Sequence, residues 1–190
     1  MSKIILASAS PRRSELLRGA GVDFEVCVAS VAEVSGGGAL SAEGVCEENA
    51  RLKASAVAAL RPDRWVLGAD TLVCLNGECF GKPRDEADAF GMLSRLQGRV
   101  HEVITGVALC NRSLKEETVF HVVTQVVFRK MSAEEIRHYM GLVHTLDKAG
   151  AYGIQEHGDL IVEATEGSFS NVIGLPVDEV CVLLKTKGLI

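Results

Sequence analysis

The stretch Ile4-Ile5-Leu6-Ala7-Ser8-Ala9-Ser10-Pro11-Arg12-Arg13-Ser14-Glu15-Leu16-Leu17 passes directly from a strand-like apolar run into a helix. Ser10 suits an N-cap, and Pro11 suits the first helical position, where its missing N–H costs nothing. The first turn then carries two adjacent arginines, against the helix macrodipole, which favours anions at that end. Free backbone N–H groups, a positive dipole end and two guanidinium forks together make a site for a polyanion. The alternative is that Arg12 and Arg13 point to solvent and pair with surface acids. Strand-to-helix turns are where α/β folds bind phosphates, which brings the first reading level with the second.

Composition narrows the ligand. The chain has 190 residues, 47% hydrophobic and 24% charged, with a net charge of −5. This is ordinary globular composition with ample chain for a core, and it argues against disorder. An acidic chain does not offer the broad basic face that nucleic acid requires, so a small anionic ligand is expected. The apolar run Ile4 to Ala7 is too short for a signal-peptide core or a membrane span, which predicts a cytoplasmic protein without a membrane partner. Six cysteines (Cys27, Cys46, Cys74, Cys79, Cys110 and Cys181) are scattered without a C-x-x-C pair, so neither a zinc site nor a disulfide framework is expected. Cys27, Cys110 and Cys181 lie in apolar stretches, as buried free thiols do. The five histidines lack metal-ligand spacing, so any metal would be a hard cation held by carboxylates and phosphates.

Strand and helix signals alternate along the chain, which reads as α/β. Phe24–Val28 is a second strand. Residues 35–40 form a Gly-rich loop, without the Lys-Ser or Lys-Thr that a P-loop needs. Ser41 caps a helix reaching Leu60, with Glu43 in its first turn and an apolar stripe of Val45, Leu52, Ala56, Val57 and Leu60. Asn49 and Lys53 lie on the edge of that stripe, where Lys53 either snorkels or lines a cavity wall with Asn49. Trp65–Ala69 runs into Asp70-Thr71, and Asn76-Gly77 marks a hairpin. Asp85 caps a helix whose Ala89, Phe90, Leu93 and Leu96 share a face. His101–Cys110 and Thr118–Phe128 are long strands joined by a turn, predicted to pair antiparallel. Helices follow from Ser132 and over Val177–Leu184, with a strand over Leu160–Ala164 between them and a turn at Gly167–Val172. One domain over residues 1–190 is the simplest organisation.

Asp70, ending a buried run, is expected to project from the carboxyl end of a strand, where open α/β sheets place their sites; a turn-capping role is the alternative. Lys82 is presented by a rigid Gly81-Lys82-Pro83 loop. Lys148 is a further cation in a polar, Gly-punctuated run from Asp147 to Gln155, beside Asp147 with which it could form a surface ion pair. Cations interleaved with Glu33, Asp70 and Asp147 are what attack at phosphorus requires: cations for the phosphates, acids for Mg²⁺.

These residues resemble the Maf (septum-formation inhibitor-like) nucleoside triphosphate pyrophosphatases. The matching motifs are Ser8-Ala9-Ser10-Pro11-Arg12-Arg13 with Glu15-Leu16-Leu17; Asn49-Ala50-x-x-Lys53-Ala54; Gly68-Ala69-Asp70-Thr71; Gly81-Lys82-Pro83; Gly98, His101 and Thr105-Gly106-Val107; Asp147 through Gln155; and Asn171-Val172-x-Gly174-Leu175-Pro176. They occur in family order over nearly the whole chain. The resemblance implies an inosine-triphosphatase-like α/β fold, a single mixed-sheet domain with two lobes around a deep cleft, and cleavage of a nucleoside triphosphate between its α- and β-phosphates. It implies that Asp70 activates water, that Glu33 and Asp70 position Mg²⁺ or Mn²⁺, and that Arg12, Arg13, Lys53 and Lys82 hold the triphosphate. Ser8 and Ser10 would complete the anion cradle, and Arg12, Thr71 and Gln155 would match positions linked to substrate choice, with Lys148 in the same binding set. Thr71 and the 147–155 run look like the dTTP/UTP branch, and a homodimer is implied. Two departures stand out: Ala32 occupies a position where the family often pairs a second acid with Glu33, and Ser168-Phe169-Ser170-Asn171 mildly alters a turn. A phosphoryl transferase using the same cradle and a non-catalytic, nucleotide-binding regulator of cell division are the competing readings.

Overall fold

The computed structural model describes residues 3–28, 30–34 and 40–190, so most of the predicted Gly-rich loop lies outside the described residues. Its elements run β1 (Ile4–Leu6), α1 (Pro11–Gly19), β2 (Phe24–Val26), α2 (Ala42–Leu60), β3 (Val66–Leu75), β4 (Glu78–Phe80), α3 (Glu86–Leu96), β5 (Val100–Asn111), β6 (Glu116–Phe128), α4 (Ala133–Leu142), β7 (Val162–Glu166), α5 (Phe169–Ile173) and α6 (Val177–Thr186). The strands form one mixed sheet in the order β2-β1-β3-β5-β6-β7, with β4 paired to β3. The β1–β2 and β1–β3 pairs are parallel, and β3–β4 and β6–β7 are antiparallel. The expected α/β class is therefore present.

Contacts divide the chain into two compact units, to each of which β3, β5 and β6 contribute residues. The first unit comprises residues 1–70, 105–122 and 174–190. Alternation along β1 decides its layers: Ile4 and Leu6 join a core with Leu17, Val180 and Leu184, whereas Ile5 and Ala7 join Ala50, Ala54 and Val57 of α2. Strand β3 repeats the pattern, with Leu67 and Ala69 facing the first core and Val66 the second. By the same parity Gly68 and Asp70 fall on the α2 side. A Cβ on Gly68 would strike the Ala50 carbonyl oxygen and come within 2.9 Å of the Ala54 nitrogen, so α2 lies directly against the strand. That closeness corrects part of the predicted stripe of α2, in which Val45 and Val57 are buried as expected. Small residues (Cys46, Ala50, Ala54, Ala58) are buried there, whereas Leu60 is 61% exposed.

The second unit, residues 71–104 and 123–173, is built on Val73, Leu93, Leu96, Phe128, Ile136, Tyr139 and Ile161. Its helices are capped as their sequences require: Asp85 accepts from the Asp88 N–H at 2.8 Å, and Ser132 and Glu135 form a reciprocal capping box. Asn76 and Gly77 both have positive φ, as the predicted hairpin turn demands. Cys74 and Cys79 are direct cross-strand partners in that hairpin and form a disulfide, a single bridge where no disulfide framework was expected. The pairing follows from strand register, which a search for C-x-x-C spacing does not detect. Cys27, Cys46, Cys110 and Cys181 are not disulfide-bonded. Among the described residues, no helix is long and apolar enough to cross a membrane.

Candidate active site

The turn after β1 is organised by Ser8, whose buried hydroxyl accepts from the Ser10 N–H at 3.2 Å and from Arg13 Nη1 at 3.1 Å. Arg13 Nε also donates to the Gly174 carbonyl at 2.8 Å. Helix α1 begins at Pro11 with Ser10 at the N-cap, as predicted, but the Ser10 side chain does not cap it. Arg13 is half-buried, and burial pulls its pKa below the usual guanidinium value while the charge of Asp70 opposes the shift. The solvent-facing alternative therefore fails for Arg13. Its fork is fixed by a carbonyl and a hydroxyl, within the electrostatic reach of both Asp70 and Glu33.

Asp70 sits in the middle of β3, not at a carboxyl end, because the alternating strand continues through Leu75 to the hairpin. Its parity aims it at α2, where Asn49 and Lys53 lie one helical turn apart. Lys53 Nζ is 2.6 Å from Asp70 Oδ1 and 2.7 Å from Glu33 Oε1. Asn49 Nδ2 donates to Asp70 Oδ2 at 3.0 Å and to the Val34 carbonyl at 3.0 Å, while Asn49 Oδ1 accepts from the Val34 N–H at 2.7 Å. One buried amide thus clamps the backbone beside Glu33 and one oxygen of Asp70. Both carboxylate oxygens of Asp70 have donors, and its orientation is fixed before any ligand arrives. Asn49 and Lys53 both face the acid, so Lys53 does not snorkel to solvent. In the sequence Asn49 is a polar residue on an apolar edge, four positions before Lys53 in the same motif, and nothing there shows its bond to Asp70.

The second unit holds the remaining predicted residues. Thr71 follows Asp70 along β3 and is half-buried. Lys82 is exposed in its loop, between exposed Gly81 and buried Pro83. Gly81 accepts from the Gly150 N–H at 3.1 Å, which ties that loop to the Asp147–Gln155 run. The run is mostly buried, contrary to its polar reading: Lys148 is 4% exposed, and Tyr152 and Ile154 are buried with it. The Lys148–Asp147 pair forms at 2.9 Å, but it is no surface pair. Gln155 itself is exposed.

Among the described residues no group of three or more His, Cys, Asp or Glu could enclose a metal. The donor set nevertheless suits a hard cation. Glu33 and Asp70 already share a positive charge, that of Lys53, and with it they sum to a net −1 (−1 −1 +1). Two carboxylates plus phosphate and water oxygens is how Mg²⁺ is usually held. The exposed Ala32 adds no ligand to this set.

The family model described as "Maf-like protein" matches residues 3–187. This chain belongs to the Maf family. A Myxococcus xanthus protein named dTTP/UTP pyrophosphatase is 48% identical, over 98% of this chain and 93% of that one. Proteins of the same name from Geobacter sulfurreducens (47%; 98% of this chain, 97% of that one) and Akkermansia muciniphila (45%; 97% and 96%) are similar to it. The solved structure of the Staphylococcus aureus Ham1 protein superposes with a TM-score of 0.55 at 17% identity, over 98% of this chain and 100% of that one. That likeness is one of fold. The Maf family membership accounts for the order of the motifs, and the contacts around Asp70 give the motifs from Asn49 and Gly68 a shared location.

Proposed function

We propose that this Maf protein is a nucleoside triphosphate pyrophosphatase acting on dTTP and UTP, releasing the nucleoside monophosphate and pyrophosphate. The observation that carries the reading is the Glu33–Lys53–Asp70 cluster with Arg13 fixed beside it, in a chain whose relatives bear the name dTTP/UTP pyrophosphatase. Asp70 is the general base. It takes a proton from water, the oxygen attacks phosphorus, and the α–β anhydride bond breaks with pyrophosphate as leaving group. Lys53 and Asn49 hold the carboxylate in position for that transfer. Arg13, Arg12, Ser8 and Ser10 present N–H and O–H donors to the triphosphate, where charge builds as the bond breaks. Glu33 and Asp70 would hold Mg²⁺ or Mn²⁺, which when bound neutralises phosphate charge. Lys82 as a phosphate cation, and Thr71 and Gln155 in base selection, rest on their motifs. The names of the relatives favour this hydrolase over a non-catalytic regulator of cell division.

The test is a panel of nucleoside triphosphates with Mg²⁺ or Mn²⁺, assayed for pyrophosphate. dTTP and UTP are expected to give equimolar monophosphate and pyrophosphate, ahead of purine nucleotides. Orthophosphate with a nucleoside diphosphate, or no product from any nucleotide, would overturn the assignment.

A further inference from the structure

Lys148 has the sequence context of a phosphate ligand and the surroundings of something else. Its ammonium lies 2.7 Å from the His144 carbonyl oxygen, 2.9 Å from Asp147 Oδ1 and 3.1 Å from Glu156 Oε1. Three acceptors surround a group that has three N–H donors. The charges sum to −1 (+1 −1 −1), so the cluster repels a polyanion. The stem is enclosed as well: a Cβ on Gly153 would come within 2.8 Å of Lys148 Cε and 3.1 Å of Cδ. Gly153 therefore lacks a side chain where the lysine passes.

What these contacts hold is the turn that carries Gln155. Its first end is fixed by Tyr139, whose hydroxyl accepts from the Gly153 N–H at 3.1 Å. The Glu156 N–H closes the turn on the Gly153 carbonyl at 3.1 Å. The far end is held by the Lys148–Glu156 pair. Just before it, Tyr152 is anchored by its hydroxyl to His101 Nε2 at 2.8 Å. Gln155, the one exposed residue between Gly150 and Glu156, is thus displayed from a turn fixed at both ends.

We infer that Lys148 is a positioning residue for base selection, setting the Gln155 turn through Glu156, and that it is not a ligand of the triphosphate. This rests on the reading that Gln155 contributes to substrate choice. Loss of a supporting contact costs about 10–100-fold where it orients a metal ligand, and a factor at the lower end of that range is expected for this turn.

The experiment compares Lys148→Met, Glu156→Gln and Gly153→Ala with the parent protein. It measures calorimetric binding of inorganic tripolyphosphate, hydrogen exchange over residues 149–157, and kcat/KM for dTTP against dGTP. Lys148→Met keeps the stem, Glu156→Gln keeps the lysine, and Gly153→Ala displaces it without changing charge. All three are expected to raise exchange in the turn and to lower the dTTP/dGTP ratio about tenfold, with tripolyphosphate affinity within about twofold of the parent. The inference is overturned if Lys148→Met weakens tripolyphosphate tenfold or more while Glu156→Gln strengthens it, the pattern of a direct anion ligand. It is also overturned if the turn's exchange is unmoved in all three. If the parent hydrolyses no nucleotide, the pyrophosphatase reading fails, while binding and exchange still decide the role of Lys148.

Discussion

Asn49 supports the site at two points. Its amide pairs with the Val34 peptide and with Asp70, so one side chain fixes the approach of Glu33 and the orientation of the base. Asn49→Ala removes both contacts at once. It is expected to lower kcat by about 10–100-fold, the usual cost of losing a supporting partner, with a smaller change in KM. Steady-state kinetics on dTTP checks this, and an unchanged kcat would show that Lys53 alone positions Asp70. Residue identity was largely legible in the sequence: Arg12, Arg13, Lys53 and Asp70 each fall within a motif. Their environments were not. Lys148 read as a loop cation because single-sequence polarity cannot register that Asp147, Glu156 and the His144 carbonyl close around it.

At the scale of elements, the site depends on how closely α2 approaches β3. The approach is possible because Gly68 has no Cβ and because Ala50 and Ala54 face it. Gly68→Ala must push the helix away from the strand, and overpacking of this kind costs about 1–3 kcal/mol. The expected result is a lower urea midpoint with reduced turnover, since Lys53 and Asn49 move with the helix; a variant as stable as the parent would contradict the close packing. This is also where periodicity misled. A stripe chosen for large apolar residues put Leu52 and Leu60 inward, but a helix pressed against a strand buries its small residues. Asp70 was misplaced for a related reason. An aspartate after an apolar run reads as a terminator, whereas β3 continues through it because Asn49 and Lys53 satisfy the carboxylate in mid-strand.

Across the whole molecule, acid sensitivity has an identifiable source. His101 is buried against Phe128 and Tyr152, and burial lowers its pKa from 6.5 to about 4. Its Nδ1 has no hydrogen-bond partner among the described residues, so the imidazolium's second N–H would have no acceptor. Between those two values the unfolded chain binds a proton that the folded chain refuses. Stability therefore falls as the pH drops from 6.5 towards 4, by about 3 kcal/mol in all. The carboxylates of Glu78, Asp88 and Glu135, held low by Arg95, by Arg84 and by the Ser132 N–H respectively, lose their contributions only at lower pH, as the unfolded carboxylates protonate near about pH 4. Urea midpoints for the parent and His101→Asn at about pH 7 and about pH 5 separate the two windows: the variant is expected to lose most of the slope, and an unchanged slope would assign it elsewhere.

The α/β class was legible from alternating strand and helix signals, and the order of the motifs identified the family. The Cys74–Cys79 bridge is invisible to cysteine spacing alone and follows from the register that the Asn76-Gly77 turn sets. The central claim is that Asp70, held by Lys53 and Asn49, takes the proton from the attacking water. The most direct measurement is turnover of dTTP by Asp70→Asn alongside calorimetric binding of the same nucleotide in the absence of divalent metal. The variant keeps the shape of the side chain, so binding is expected within a few-fold of the parent while kcat falls by about 10²–10⁴-fold, the usual contribution of a general base. Turnover close to that of the parent, with binding intact, would contradict the account.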